Sequence, residues 1–213
     1  SEMWSNESGF EKDTKGLDIT GICGSGIIEV IAEMYLAGIL SQDGVINGAL
    51  AEKSKHIIPD GRTFSYVLSQ GKHNIQVTQN DVRAVQLAKA ALYAGIRLLM
   101  ERMEIETVDR IRLAGAFGSN IDVKYAMVLG LIPDCDLEQV SAAGNAAGTG
   151  ARIALLNYES RQEIEEVVRQ VEKVETAVET KFQEHFVHGV PFPHEVQPWP
   201  NLAPPIDLPA ETN

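Results

Sequence analysis

Two spacings of apolar residues alternate along the chain, and the switches between them set the expected order of elements. Ile27, Ile28, Val30, Ile31, Met34, Tyr35 and Leu36 recur at helical spacing over a wide face, which predicts a deeply buried helix. Ser25 stands where an N-cap belongs and Gly38 where a helix stops. Asp43-Gly44 and Asp60-Gly61 predict turns, with one helical turn and a short strand between them over 49–58. A period of two then takes over. Residues 63–69 and 74–78 alternate on either side of Gln70-Gly71-Lys72-His73, the pattern of a small β-hairpin with His73 solvated at its tip.

Thr78-Gln79-Asn80-Asp81 has the capping-box pattern and opens the longest helix. Its expected core stripe is Val82, Val85, Ala88, Leu92, Ile96, Leu99 and Met103, with Arg83, Lys89, Arg97 and Arg102 off it. A short strand through Val108, Ile111 and Leu113 runs into Leu113-Ala114-Gly115-Ala116-Phe117-Gly118-Ser119-Asn120, and a helix is expected over 123–131. Pro133 and Asp134 break the chain before a strand over 139–143. A second small-residue turn, Ala142 through Gly150, leads to a helix over 147–158 whose alanines and glycines permit close packing on a neighbour. Ser160-Arg161-Gln162-Glu163 predicts another capping box, opening a helix with Ile164, Val167, Val168 and Val171 inward. One more strand is expected over 174–178 and a last helical turn over 182–187. Alternating short strands and capped helices predict an α/β domain, a mixed sheet flanked by helices.

The length of 213 residues allows one well-buried domain with or without an appendage. The expected division is a poorly ordered polar lead-in over 1–16, a folded domain over 17–194 and a proline-rich tail over 195–213 without a core of its own. A net charge of −12 argues against a nucleic-acid partner or an anionic membrane, both of which need clustered Lys and Arg. No apolar run approaches the roughly 20 residues of a membrane span, and Ser1-Glu2-Met3-Trp4 lacks a secretion-signal pattern, so a cytoplasmic location is expected. The missing initiator Met reads as a fragment or a processed product. Cys23 and Cys135 are the only cysteines, too few for an iron–sulfur or structural zinc site, and both are expected reduced in apolar settings. No metal site is expected at His185, His188 and His194.

The two small-residue turns carry the candidate chemistry. A strand that ends in glycine and turns into a helix lets backbone N–H groups approach a ligand without side-chain obstruction. Gly115 and Gly118 flank Phe117, whose ring can then close over a flat group such as a purine; a positive φ at Gly118 would forbid Gly118→Val. Asn120 is expected to cap the following helix, with Asp122 adding charge in its first turn. Gly24-Ser25-Gly26 resembles half of a dinucleotide fingerprint, but Glu29 stands where the third glycine belongs. Two such turns suggest a nucleotide-sized cleft; the alternative is tight turns with no ligand.

Gly21-Ile22-Cys23-Gly24-Ser25-Gly26-Ile27-Ile28, the Leu113 to Asn120 octapeptide, Gly144 through Arg152, and the ending Pro191-Phe192-Pro193-His194 occur in this order. Together they resemble the C-terminal part of the reductive activators of corrinoid proteins, over about Gly21 to His194. That resemblance implies a subdomain of the actin-like ATPase (ribonuclease H-like) fold shared by actin, sugar kinases and heat-shock chaperones, with a small β-hairpin insertion. It implies an adenosine motif of Gly115, Ala116, Phe117, Gly118 and Asn120, where Ala116 replaces the usual second glycine. It makes Gly144 and Asn145 the start of the connecting helix, and Gly24, Ser25 and Gly26 a helix start beside the cleft. ATP with Mg²⁺ is the implied cofactor, and a [2Fe–2S] cluster is expected only in a ferredoxin-like part absent from this chain. The upstream phosphate loops are also absent, because Asp18-Ile19-Thr20-Gly21 lacks the glycine after Ile19. The chain is thus expected to be an excised C-terminal half, inactive alone. The implied activity is ATP-driven transfer of a low-potential electron to the cobalt(II) corrinoid of a methyltransferase partner, with a homodimeric parent as one possibility. Two alternatives stand beside it: the activator ATPase of 2-hydroxyacyl-CoA dehydratases, and a non-catalytic interaction domain that binds no nucleotide.

Overall fold

The computed structural model describes residues 19–70, 72–195, 197–202, 206 and 208–209; the expected lead-in over 1–16 lies outside them. Helix α1, Gly24–Leu36, buries Ile28, Ile31, Ala32, Met34 and Tyr35. Its cap is Cys23, not Ser25: the chain is still extended at Cys23, and the Ser25 hydroxyl is engaged with the Cys23 sulfur at 3.3 Å. Gly38 ends the helix at φ +70°, a conformation that costs glycine little.

Strands β1 (Ile57–Asp60), β2 (Thr63–Ser69) and β3 (Ile75–Thr78) form an antiparallel sheet in that order, with Ile57 beside Tyr66 and Tyr66 beside Val77. Pro59 sits in edge strand β1, where its missing N–H breaks no ladder. The long helix α2, Gln79–Arg102, starts on both arms of the capping box: the Thr78 N–H donates to Asp81 Oδ2 at 2.8 Å and the Asp81 N–H to Thr78 Oγ1 at 3.1 Å.

The buried face of α2 differs from the expected stripe. Val82, Gln86, Lys89, Ala90, Tyr93, Ala94, Leu98 and Met100 are buried, whereas Leu92, Leu99 and Met103 are exposed. The reason is the partner. Residues 190–195 and 197–202 form a strap along α2, whose carbonyls need donors from the helix. Gln86 Nε2 donates to the carbonyls of Asp43 (3.0 Å) and Val190 (3.2 Å), and Lys89 Nζ to those of Pro191 (2.5 Å) and Pro193 (2.8 Å). Gln42 adds Nε2 to the His194 carbonyl at 2.9 Å and accepts the Phe192 N–H on its own carbonyl at 2.8 Å. Farther on, the Asp134 carboxylate accepts the N–H groups of Asn201 and Leu202. Phe192, Trp199 and Leu202 thereby join Ile31, Met34, Leu40 and Met127 in the core. Within the proline-rich stretch, Trp199 and Leu202 thus help complete the core of the rest.

Beyond α2, strand β4 (Ile111–Ala114) pairs in parallel with β5 (Val140–Gly144). Between them lie two short helices, α3 (Gly115–Asn120) and α4 (Val123–Val128). Asp122 caps α4 by accepting the N–H groups of Lys124 and Tyr125; the Asn120 amide instead donates to the Ala116 carbonyl and closes α3. After β5 come α5 (Ala146–Leu156), α6 (Tyr158–Gln170) and α7 (Thr180–His188). Asn157, not Ser160, caps α6, since its side chain accepts the Ser160 N–H at 3.1 Å. Ile164, Val167, Val168 and Val171 face outward, because among the described residues nothing lies on that side of α6. The small-residue face of α5 is likewise uncovered. The strand expected over 174–178 is a single 3₁₀ turn, Thr176–Val178, with no sheet edge beside it. Helix α7 packs on α2, tied by Lys181 and His185 to Glu101 and by Arg102 to Glu172 and Glu179. Among the described residues no helix is long and apolar enough to cross a membrane.

Gly130, just after α4, takes φ +73°, and a Cβ there would run into the Pro193 carbonyl that Lys89 holds. Gly130→Ala combines a left-handed alanine with a backbone clash. It is expected to lower stability by about 3 kcal/mol or more in urea unfolding.

Candidate functional site

The parallel pairing of β4 with β5 fixes the site. Ile111 lies beside Val140, and after a one-residue shift Ala114 lies beside Gly144. Both strands therefore end level, at the carboxyl edge where open α/β sheets receive ligands. Gly115, directly after β4, and Gly144, the last residue of β5, both have positive φ, +92° and +63°. A Cβ on either would meet nothing within 4 Å, so both turns border open space.

The third wall is the start of α1. A Cβ on Gly24 would touch the Phe117 ring at 3.4 Å, so the bare glycine gives the ring a seat. Phe117 nonetheless keeps 53% of its surface in solvent, unusual for a ring held on one side by the fold. Three of the expected site residues, Gly24, Gly115 and Phe117, are thus brought together, with Gly144 adjacent across the strand pair. Ala116 lies exposed in the first turn of α3.

The other expected residues have local duties. Ser25 and Gly26 lie in the first turn of α1, and Gly26 faces back on Ile22, where a Cβ would come within 2.9 Å of Cγ2. Gly118 is helical rather than left-handed; it is glycine because a Cβ would press on Leu113 at 3.1 Å and on its backbone at 3.2 Å. Asn145 caps α5 by accepting the Gly148 N–H at 2.8 Å. Gly148 must lack a side chain for that asparagine to fold over it.

The residue that sequence reasoning missed is Cys23. It is exposed, immediately before the α1 start that faces Phe117, rather than in an apolar setting; Cys135 is buried. The Ser25 hydroxyl, then the Gly26 N–H, hold the Cys23 thiol below its ordinary range. Its place directly before a Gly-x-Gly helix start was the available signal.

An adenine nucleotide fits this arrangement in part. A half-exposed aromatic ring and two left-handed glycines with open space suit a flat base and a sugar. At the start of α1 the Gly26 N–H is turned to the Cys23 sulfur, whereas α3 starts without a side-chain cap. Among the described residues no three His, Cys, Asp or Glu side chains lie together as a metal set.

Residues 4–203 match the family described as the C-terminal domain of RACo, the ASKHA domain, and the chain belongs to that family. Its fold is accordingly that of an actin-like ATPase domain, mixed α/β. The chain is 38% identical over 185 residues to the corrinoid activation enzyme RamQ of Eubacterium limosum, covering 81% of this chain and 31% of RamQ. A solved structure of a reductive activator for corrinoid, iron-sulfur protein superposes with a TM-score of 0.74 at 32% identity, over 87% of this chain and 30% of that one. The chain thus spans about a third of the length of both relatives.

Gly115→Ala is expected to cost about 1–2 kcal/mol through its φ alone, since no neighbour crowds the new methyl. Gly118→Val is expected to cost more, by contact with Leu113. Paired denaturation curves check the order.

Proposed function

We propose that this chain is the adenosine-binding part of an ATP-dependent reductive activator of a corrinoid protein. The observation that carries the reading is the convergence of Phe117 on Gly24 with the level glycine ends of β4 and β5. The names of the two relatives support it, since both concern corrinoid activation and neither a dehydratase. The whole activator would pass a low-potential electron to cobalt(II) of a corrinoid held by a methyltransferase-system partner, reducing it to cobalt(I). ATP, when bound, supplies the free energy that makes this uphill step run. The [2Fe–2S] electron carrier, the phosphate loops and the Mg²⁺ ligands belong, in this reading, to the two-thirds of the relatives' length that this chain does not span. A homodimeric activator and a cytoplasmic setting belong to the same reading.

Within it, the chain's own residues bind and orient. Phe117 lies along the base, Gly24 lets the ring settle, and Gly115 and Gly144 leave room for the ribose. Asn145, by capping α5, fixes where that helix begins beside the sugar.

Calorimetry on the chain tests this directly. Adenosine, ADP and ATP are expected to bind weakly and within about tenfold of one another, without turnover, because phosphate contacts of roughly 1.5–3 kcal/mol each are missing. Phe117→Ala is expected to weaken all three by about tenfold, or 1.4 kcal/mol. Tight ATP binding with hydrolysis would put the phosphate site inside this chain, and no binding of any of the three would favour the interaction domain.

A further inference from the structure

The Pro191-Phe192-Pro193-His194 ending takes no part in the candidate nucleotide site. It is the stretch of the strap that Lys89 holds. We propose that docking of the strap over 190–195 is proton-linked: the neutral Lys89 amine holds it, and proton uptake releases it.

The geometry of the donors makes the case. Lys89 is fully buried, and among the described residues its Nζ has two acceptors, the carbonyls of Pro191 and Pro193. Two carbonyls, with the Phe192 ring 5.3 Å away at its centroid, serve an amine and an ammonium alike; what an ammonium lacks here, among the described residues, is both exposure to water and a counter-ion. Among the described residues no carboxylate touches Nζ, and a ring face recovers only part of an ammonium's lost hydration.

The surrounding charged groups do not offset this. Arg83, Tyr93 and Arg97 lie on α2, His185 and His188 on α7, His194 and Glu195 on the strap, Asp43 in the loop after α1, and Asp134 beyond Gly130. Burial alone moves Lys89, down to about 7. His194 reinforces the direction. Its Nδ1 accepts the Gln197 N–H at 3.0 Å, so a proton added there breaks a strap bond. Burial, then the Lys89 charge, lowers His194 to about 4.

Both groups are depressed in the docked state, so undocking takes up protons. The Lys89 contribution is complete above about 10.5, its ordinary value, and is lost as the pH falls to about 7. The His194 contribution is lost lower down, between about 6.5 and 4.

Hydrogen exchange on the 213-residue chain tests the proposal. The Phe192 amide, bonded to the Gln42 carbonyl, reports docking. Corrected for intrinsic rate, its protection is expected to rise by up to about tenfold per pH unit between pH 7 and 8.5. In Lys89→Met, whose apolar side chain carries no proton, that rise is expected to vanish. The same rise in Lys89→Met, or flat protection in the unaltered chain, overturns the proposal. A second measurement stands even if the variant does not fold. The ¹³Cε resonance of Lys89 in the unaltered chain is expected to titrate near 7, and a midpoint of about 9 or above overturns the proposal.

Discussion

Parallel pairing between β4 and β5 is the constraint from which the candidate site follows. Parallel strands cannot be joined by a tight turn; the chain must leave one carboxyl end, cross over and come back to the start of the next. Here the crossover is α3, α4 and the Pro133 break. Because the pairing sets Ala114 beside Gly144, the two departures occur at the same level. Both exits turn through a positive φ, at Gly115 and Gly144, which glycine adopts without strain, and the same bareness leaves the edge open to a ligand.

At the other end of the domain the governing chemistry is backbone satisfaction. A strap that contains Pro191 and Pro193 forms no ladder, so its carbonyls are left without strand partners. Helix α2 answers at i and i+3 with Gln86 and Lys89, while Tyr93 at i+7 donates its hydroxyl to the side-chain amide oxygen of Gln197. Phe192 then packs on Tyr35 of α1 and beneath Lys89 of α2, and Trp199 joins the same core. The Pro193 carbonyl, wedged between Lys89 and the bare Cα of Gly130, connects this end to α4 and through it to α1.

Features decided within a few residues were legible in the sequence. The hairpin, the capping box at Thr78 and the left-handed Gly38 are of this kind, as are the two glycine turns. The caps at Ser25, Asn120 and Ser160 were misplaced by up to three residues, since several polar residues stand near each helix start and backbone direction chooses among them. Lys89 was illegible, because its burial depends on carbonyls about a hundred residues farther along. So was the seat of Phe117 on Gly24, which needs the α1 and β4 ends to meet. On α6 the apolar spacing was correctly seen, but spacing does not say whether anything lies against it.

The two-stranded sheet has a consequence for how molecules of this chain behave toward one another. Among the described residues each of β4 and β5 keeps one edge with no strand beside it, and Leu155, Leu156, Tyr158, Val168 and Val171 lie exposed on α5, on α6 and just after it. Open edges and apolar surface both favour self-association. What opposes it is the charge of −12, which makes every pair of molecules repel. That repulsion reaches only about 8 Å at physiological ionic strength and about 3 Å in molar salt. Solubility of this chain is therefore an electrostatic property more than a matter of hidden apolar surface, greatest in dilute buffer and failing as salt rises or as the pH nears 4.8.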